Sequence, residues 1–193
     1  MSKRTLAAVA AVVAVMVVAG GIRVLRGTPL PPLPETVPQG MAQLSLRQQD
    51  IALFERRVAE DPFGGSDRAR LAYLYLQRAR ETGDYEDFRR AEAAARASVE
   101  ARGRRNGAGR LALASSLLAQ HRFAEALVAA EELVQAEPES PSARALLAEI
   151  QMELGDYEGA RASFGWLGRF EDDLAVAPRV ARWDEVQGLT LQA

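Results

Sequence analysis

Shifted by 34 residues, part of this chain falls on itself. Arg110, Leu113, Ala114, Ala126 and Leu133 land on Arg144, Leu147, Ala148, Ala160 and Leu167, and Phe123 lands on Tyr157, so that HRFAEA takes the place of GDYEGA. A unit this short cannot bury an apolar face alone and has to stack on its copies, which confines the chain to an array of paired elements. The apolar spacing within each unit is helical. It predicts a first helix, Ala108 to Gln120 or Ser142 to Leu154, meeting a second, Phe123 to Ala136 or Tyr157 to Gly168, across a short turn. Gly155-Asp156 is the turn of the later unit, and His121, the single histidine, takes the place of Gly155 in the earlier one.

The residue types suit that arrangement. Small side chains at Ala114, Ala126, Ala148 and Ala160 let helix axes approach, while Leu113, Leu117, Leu147, Phe123, Tyr157 and Phe164 fill the space between pairs. Pro138 ends the second helix of its unit because it cannot continue the hydrogen-bond ladder. A third, stretched copy runs from Leu71 to Glu100. Matching Ala72 to Ala114 and Ala91 to Ala126 gives an internal spacing of 19 residues in place of 12. Seven extra residues are about two helical turns, so the apolar face survives and the Glu81-Thr82-Gly83-Asp84 corner stands taller. A lone helix, Leu44 to Glu60, precedes this copy. Another, Leu174 to Gln187, follows the last unit with Val176, Val180 and Trp183 on one face. End helices of this kind cover the open faces of a stacked array.

On these residues the chain resembles tetratricopeptide repeat proteins over roughly residues 66 to 170. It departs from the family pattern at Arg110 and Arg144, where an early bulky aromatic is usual, and at Gln151, where a large apolar residue is usual. The resemblance implies an all-α fold, a short helical solenoid of about three helix pairs between flanking capping helices. It also implies a groove along the first helices that receives a peptide or an amphipathic helix of a protein partner. Carried onto this chain, the groove positions are Ala108, Leu111, Ser115 and Leu118 in one unit, and Ser142, Ala145, Glu149 and Met152 in the next. Their chemistry is apolar with one acid, and the lysines, arginine and asparagines of a carboxylate clamp are missing from those places. The alternative is that Leu111, Leu118 and Met152 are covered by the protein's own helices.

No sequence feature calls for catalysis. Without cysteine there is neither thiolate chemistry nor a thiolate-bound zinc, and a lone His121 with no ordered partner builds no triad and no metal site. The expectation is a protein that is not an enzyme and takes no cofactor. Arg102, Arg104, Arg105 and Arg110, around the glycines of ARGRRNGAGR, read as a solvated loop between two units in preference to a phosphate or acidic-lipid contact. Residues 1–27 carry Lys3, Arg4, Arg23 and Arg26 and no acid, which leaves 20 basic and 26 acidic side chains, a balance of −6, for the rest. An acidic body is poorly matched to nucleic acid.

Thr5 to Ile22 is an uncharged apolar run of eighteen residues, close to what crosses a hydrocarbon core of about 30 Å. It exceeds the apolar core of about 7–15 residues usual in a signal peptide, which favours a single N-terminal transmembrane helix over cleavage after Val17-Val18-Ala19. Five of the nine prolines lie between Pro29 and Pro38, marking an extended spacer. The expected organisation is an anchor or signal-anchor at 1–27, a Pro-rich linker at 28–40 and a repeat domain at 41–193. The short basic head places the N-terminus in the cytoplasm and the repeat domain outside it, in a bacterial periplasm. The layout resembles envelope proteins that act as adaptors or scaffolds in assembly. The alternatives are a soluble periplasmic binding protein released by cleavage, and a homo-oligomer that associates through Leu189 and Leu191.

Overall fold

The computed structural model describes residues 39–189 except 62, 104 and 171, and the N-terminal apolar run and most of the Pro-rich linker lie outside them. Among the described residues there are eight α-helices and no strand: α1 (Gln39–Glu60), α2 (Gly65–Thr82), α3 (Tyr85–Ala101), α4 (Gly107–Ala119), α5 (Phe123–Ala136), α6 (Pro141–Glu153), α7 (Tyr157–Leu167) and α8 (Ala177–Val186), with a 3₁₀ turn, Gly168–Phe170, after α7. Among them no helix is long and apolar enough to cross a membrane.

Helix starts follow side-chain chemistry. Asp84, Asn106, Ser140 and Asp156 each accept a hydrogen bond from a backbone N–H of the first turn that follows, at α3, α4, α6 and α7. Turns inside the hairpins need a left-handed residue, supplied by Gly83 at φ 74°, Gly155 at 76° and His121 at 58°. The equivalence of His121 and Gly155 therefore extends to their backbone.

Three hairpins, α2/α3, α4/α5 and α6/α7, stack in order. The first helices α2, α4 and α6 touch one another in an inner row, and α3 and α5 pack against the following hairpin. Ala72, Ala95, Ala114, Ala126, Ala145, Ala148 and Ala160 are fully buried where helices cross. Leu117, Leu146, Leu147 and Ile150 fill the seam between the second and third hairpins. Within the first hairpin the insertion is shared. From Ala72, α2 continues ten residues to Thr82, whereas α4 continues five from Ala114 to Ala119; α3 begins six residues before Ala91, whereas α5 begins three before Ala126. The added turns are fixed from inside. Asp87 is completely buried and receives two hydrogen bonds from the Arg78 guanidinium, at 2.5 and 2.7 Å. Tyr75 donates to Glu55 of α1 at 2.5 Å, and burial followed by that bond raises the phenol's pKa above its ordinary value.

The two ends are capped. Ile51, Phe54 and Val58 of α1 pack on Leu71, Leu74 and Tyr75. Trp183 of α8 stacks on Phe164 at 5.1 Å between centroids, with Val176 buried beside them. Helix α8 starts later than its apolar spacing predicts. Asp173 accepts from the N–H of Ala175 in a local turn, Pro178 occupies the first turn of the helix, and Leu174 is left 91% exposed.

The family departures have partners. Gln151 accepts from the hydroxyl of Ser163 at 2.8 Å inside the third hairpin, which satisfies its carbonyl oxygen where a large apolar residue is usual. Arg144 lies over the Trp166 ring at 5.1 Å, with Arg169 over the same ring at 4.0 Å.

Candidate functional site

The inner row leaves a groove of about 600 Å³, walled by α2 on one side, floored by α4 and closed by α6 and the approach to α8. Its floor is apolar, with Ala69, Leu76, Leu111, Ala112 and Leu146 among the lining residues, and Tyr73 of α2 stands 46% exposed on its wall. Ser115 and Gln77 add uncharged polar groups.

Of the sequence-expected positions, Ala108, Leu111, Ser115 and Ser142 line this groove. The other four go elsewhere. Ala145 is fully buried against α7 and α8, and Met152 packs on the same cluster. Leu118 is half-buried against the seam of the second and third hairpins. Glu149 accepts from Arg179 of α8 at 2.9 Å, which holds the cap helix in place beside a second pair, Arg182 with Glu153 at 3.3 Å. The protein's own helices thus half-bury Leu118 and Met152 away from the groove and leave Leu111, equally half-buried, in its lining. The physical reason is the C-terminal cap, whose Val176 and Trp183 share a cluster with Ala145 and Met152 and whose Arg179 and Arg182 pair with Glu149 and Glu153.

The charge of the groove differs from the sequence expectation. Arg70, Arg80, Arg102, Arg105 and Arg179 line it, and among the described residues no Asp or Glu does, although the Glu137 carboxylate sits against Gly107 at the start of α4. Arg179 is partly answered by Glu149, but no carboxylate among the described residues lies within 4 Å of Arg70, Arg80, Arg102 or Arg105. Arg70 is held over the Tyr73 ring at 5.4 Å, and Arg102 reaches the Ser66 hydroxyl at 3.4 Å. The loop is solvent-exposed, as its sequence reads, and from there Arg102 and Arg105 also reach the rim of the groove. Arg110 turns away to Glu132 and the Gly103 carbonyl, and Arg104 lies outside the described residues.

That loop is pinned by a buried residue whose role the sequence pattern does not reveal. Asn106 donates to the Ser98 carbonyl at 2.8 Å and to its hydroxyl at 3.0 Å, and accepts from the N–H of Gly109 at 3.1 Å. Ser98, fully buried, donates its hydroxyl hydrogen bond to the Gly65 carbonyl at 2.6 Å. One amide thus joins the start of α2, the end of α3 and the start of α4. Arg105, immediately before it, takes a left-handed φ of 52°, a conformation costing a non-glycine residue about 1–2 kcal/mol that the fixed neighbours sustain.

Residues 117–170, from the last turns of α4 through the 3₁₀ turn, match the family profile described as the tetratricopeptide repeat, which supports a tetratricopeptide repeat protein. Repeats of this kind generally mediate protein–protein interaction. No curated protein matches the chain.

Proposed function

We propose that this chain is a membrane-anchored adaptor or scaffold that seats a segment of a partner protein in the groove along α2, α4 and α6, in the assembly of a bacterial envelope complex. The groove itself carries the reading: it is open, it has an apolar floor at Leu76, Leu111 and Ala112, and its walls are rigid helices that need no rearrangement to receive a peptide or an amphipathic helix. The uncharged run from Thr5 to Ile22 supports the anchor, and the prolines between Pro29 and Pro38 support a stalk that holds the domain away from the lipid, with the repeat domain in the periplasm. On this reading the protein has no catalytic role, and no cofactor is required.

The test is crosslinked co-purification of the full-length protein from its native membranes beside Ser115→Trp, which fills the groove from a half-exposed position. A partner enriched with the parent and lost with the folded variant supports the adaptor. Recovery unaffected by Ser115→Trp rejects the groove. The mass of the mature chain checks the anchor: a chain beginning after Ala19 makes the protein a secreted periplasmic one.

A further inference from the structure

We infer that the groove selects acidic segments: its occupant is a stretch of a partner protein in which carboxylates alternate with apolar side chains. The inference rests on the adaptor reading above and adds the chemistry of the partner. Its basis is a contrast of charge. The chain beyond residue 27 carries a balance of −6, yet Arg70 and Arg80 on α2 and Arg102 and Arg105 on the loop after α3 surround a groove whose lining holds no acid among the described residues. Elsewhere most arginines are matched to carboxylates, as in Arg78 with Asp87, Arg96 and Arg122 with Glu92, and Arg110 with Glu132; among the described residues Arg56, Arg68, Arg144 and Arg161 are not, but none of them lines the groove.

Four like charges around one concavity repel each other, and a carboxylate-bearing ligand relieves that repulsion while a neutral one does not. Guanidinium groups suit the role because each offers a planar pair of donors to a carboxylate and is weakly hydrated, so it gives up water readily. The rim is also built. Asn106 and Ser98 hold the loop, and Tyr73 supports Arg70, so part of the ordering cost of binding is met before a ligand arrives. The floor of Leu76, Leu111 and Ala112 requires apolar side chains between the acids. A polynucleotide fits less well, because Tyr73 is the single aromatic ring in the lining and the acidic body repels a polyphosphate.

The experiment selects a random dodecapeptide library on the purified full-length chain in detergent. It is run against the triple variant Arg70→Gln/Arg80→Gln/Arg102→Gln and a control of equal charge change, Arg56→Gln/Arg89→Gln/Arg161→Gln. The expected result is a pool at least twofold enriched in Asp and Glu with interspersed Leu, Ile or Phe. Its members should bind the parent and the control equally and the triple variant at least tenfold more weakly, with the helical circular dichroism unchanged. Peptides without acidic enrichment that are still lost with Ser115→Trp overturn the charge selection and leave the adaptor reading standing. Recovery of no peptide overturns both. Tighter binding of a single-stranded oligonucleotide to the parent than of the selected peptides, lost in the triple variant, also overturns the inference by assigning the arginines to phosphate.

Discussion

Arg122 at the end of the α4/α5 turn grips Glu92 of α3 through two hydrogen bonds, 2.7 and 2.8 Å long, across thirty residues of sequence. The same carboxylate accepts from Arg96 at 2.8 Å and from the Gln120 amide at 2.9 Å, so one acid fastens the first hairpin to the second. Burial alone would raise the pKa of Glu92, but the hydrogen bonds from Arg96, Gln120 and Arg122 outweigh it and hold the carboxylate below its ordinary value.

A depressed folded-state pKa stabilises the fold above the unfolded-state value and loses that contribution as pH falls through the folded-state value. Glu92→Gln should therefore melt below the parent at pH 7, and the gap between them should close as the pH drops below about 4, where unfolded Glu titrates. Thermal melts of both proteins across pH 3 to 7 check this, and a gap that does not change with pH would show that the charge of Glu92 adds nothing.

Removing the carboxylate of Asp87 strands Arg78 in the raised corner of the first hairpin. Asp87→Ala should cost about 3 kcal/mol in urea unfolding, the lower end for breaking a buried pair because Arg78 keeps some access to water. The paired replacement Asp87→Leu/Arg78→Met should recover most of the loss, since two apolar groups satisfy each other there.

Two glycines separate backbone strain from crowding. At Gly155 an added Cβ meets nothing within 4 Å, so Gly155→Ala should cost about 1–2 kcal/mol from the left-handed backbone alone. At Gly109 an added Cβ would stand 2.6 Å from the Ser98 hydroxyl and 2.7 Å from the Asn106 amide. Gly109→Ala should cost about 3 kcal/mol and disturb the arginine loop, whereas Gly155→Ala should leave peptide binding unchanged. Chemical denaturation gives the first comparison and peptide affinity the second.

Deleting the ring of Trp183 takes away the stack on Phe164 that seats the cap. Trp183→Ala should destabilise the domain by about 3–5 kcal/mol, and hydrogen exchange should rise first in α8 and α7 while α2 and α3 stay protected.

Much of this architecture was legible because local chemistry and period agree. The small residues at Ala114, Ala126, Ala148 and Ala160 mark helix crossings, and the equivalence of His121 with Gly155 marks turns of one hand. The start of α8 was not legible, since Leu174 fits the apolar spacing of Val176, Val180 and Trp183 and only the local turn at Asp173 and Pro178 excludes it. The groove was half legible. Repeat position finds Leu111 and Ser115, but the packing of α7 and α8 buries Ala145, pairs Glu149 with Arg179 and half-buries Met152, and a positional rule knows nothing of that cap. The arginines were missed because Arg70 and Arg80 belong to the stretched copy and Arg102 and Arg105 to a loop, and only the stacking brings them together.

The unequal length of the first hairpin has a consequence for recognition. Three identical units would offer a bound segment several equivalent seats, each one repeat from the next, and a partner would slide among them. Helix α2 runs five residues beyond the level at which α4 ends, measured from Ala72 and Ala114, and Arg80 is the third of them. No counterpart of that arginine exists on α4 or α6, so the array has a defined front and back, and on the proposed reading a segment that reaches Arg80 docks in one register and one direction.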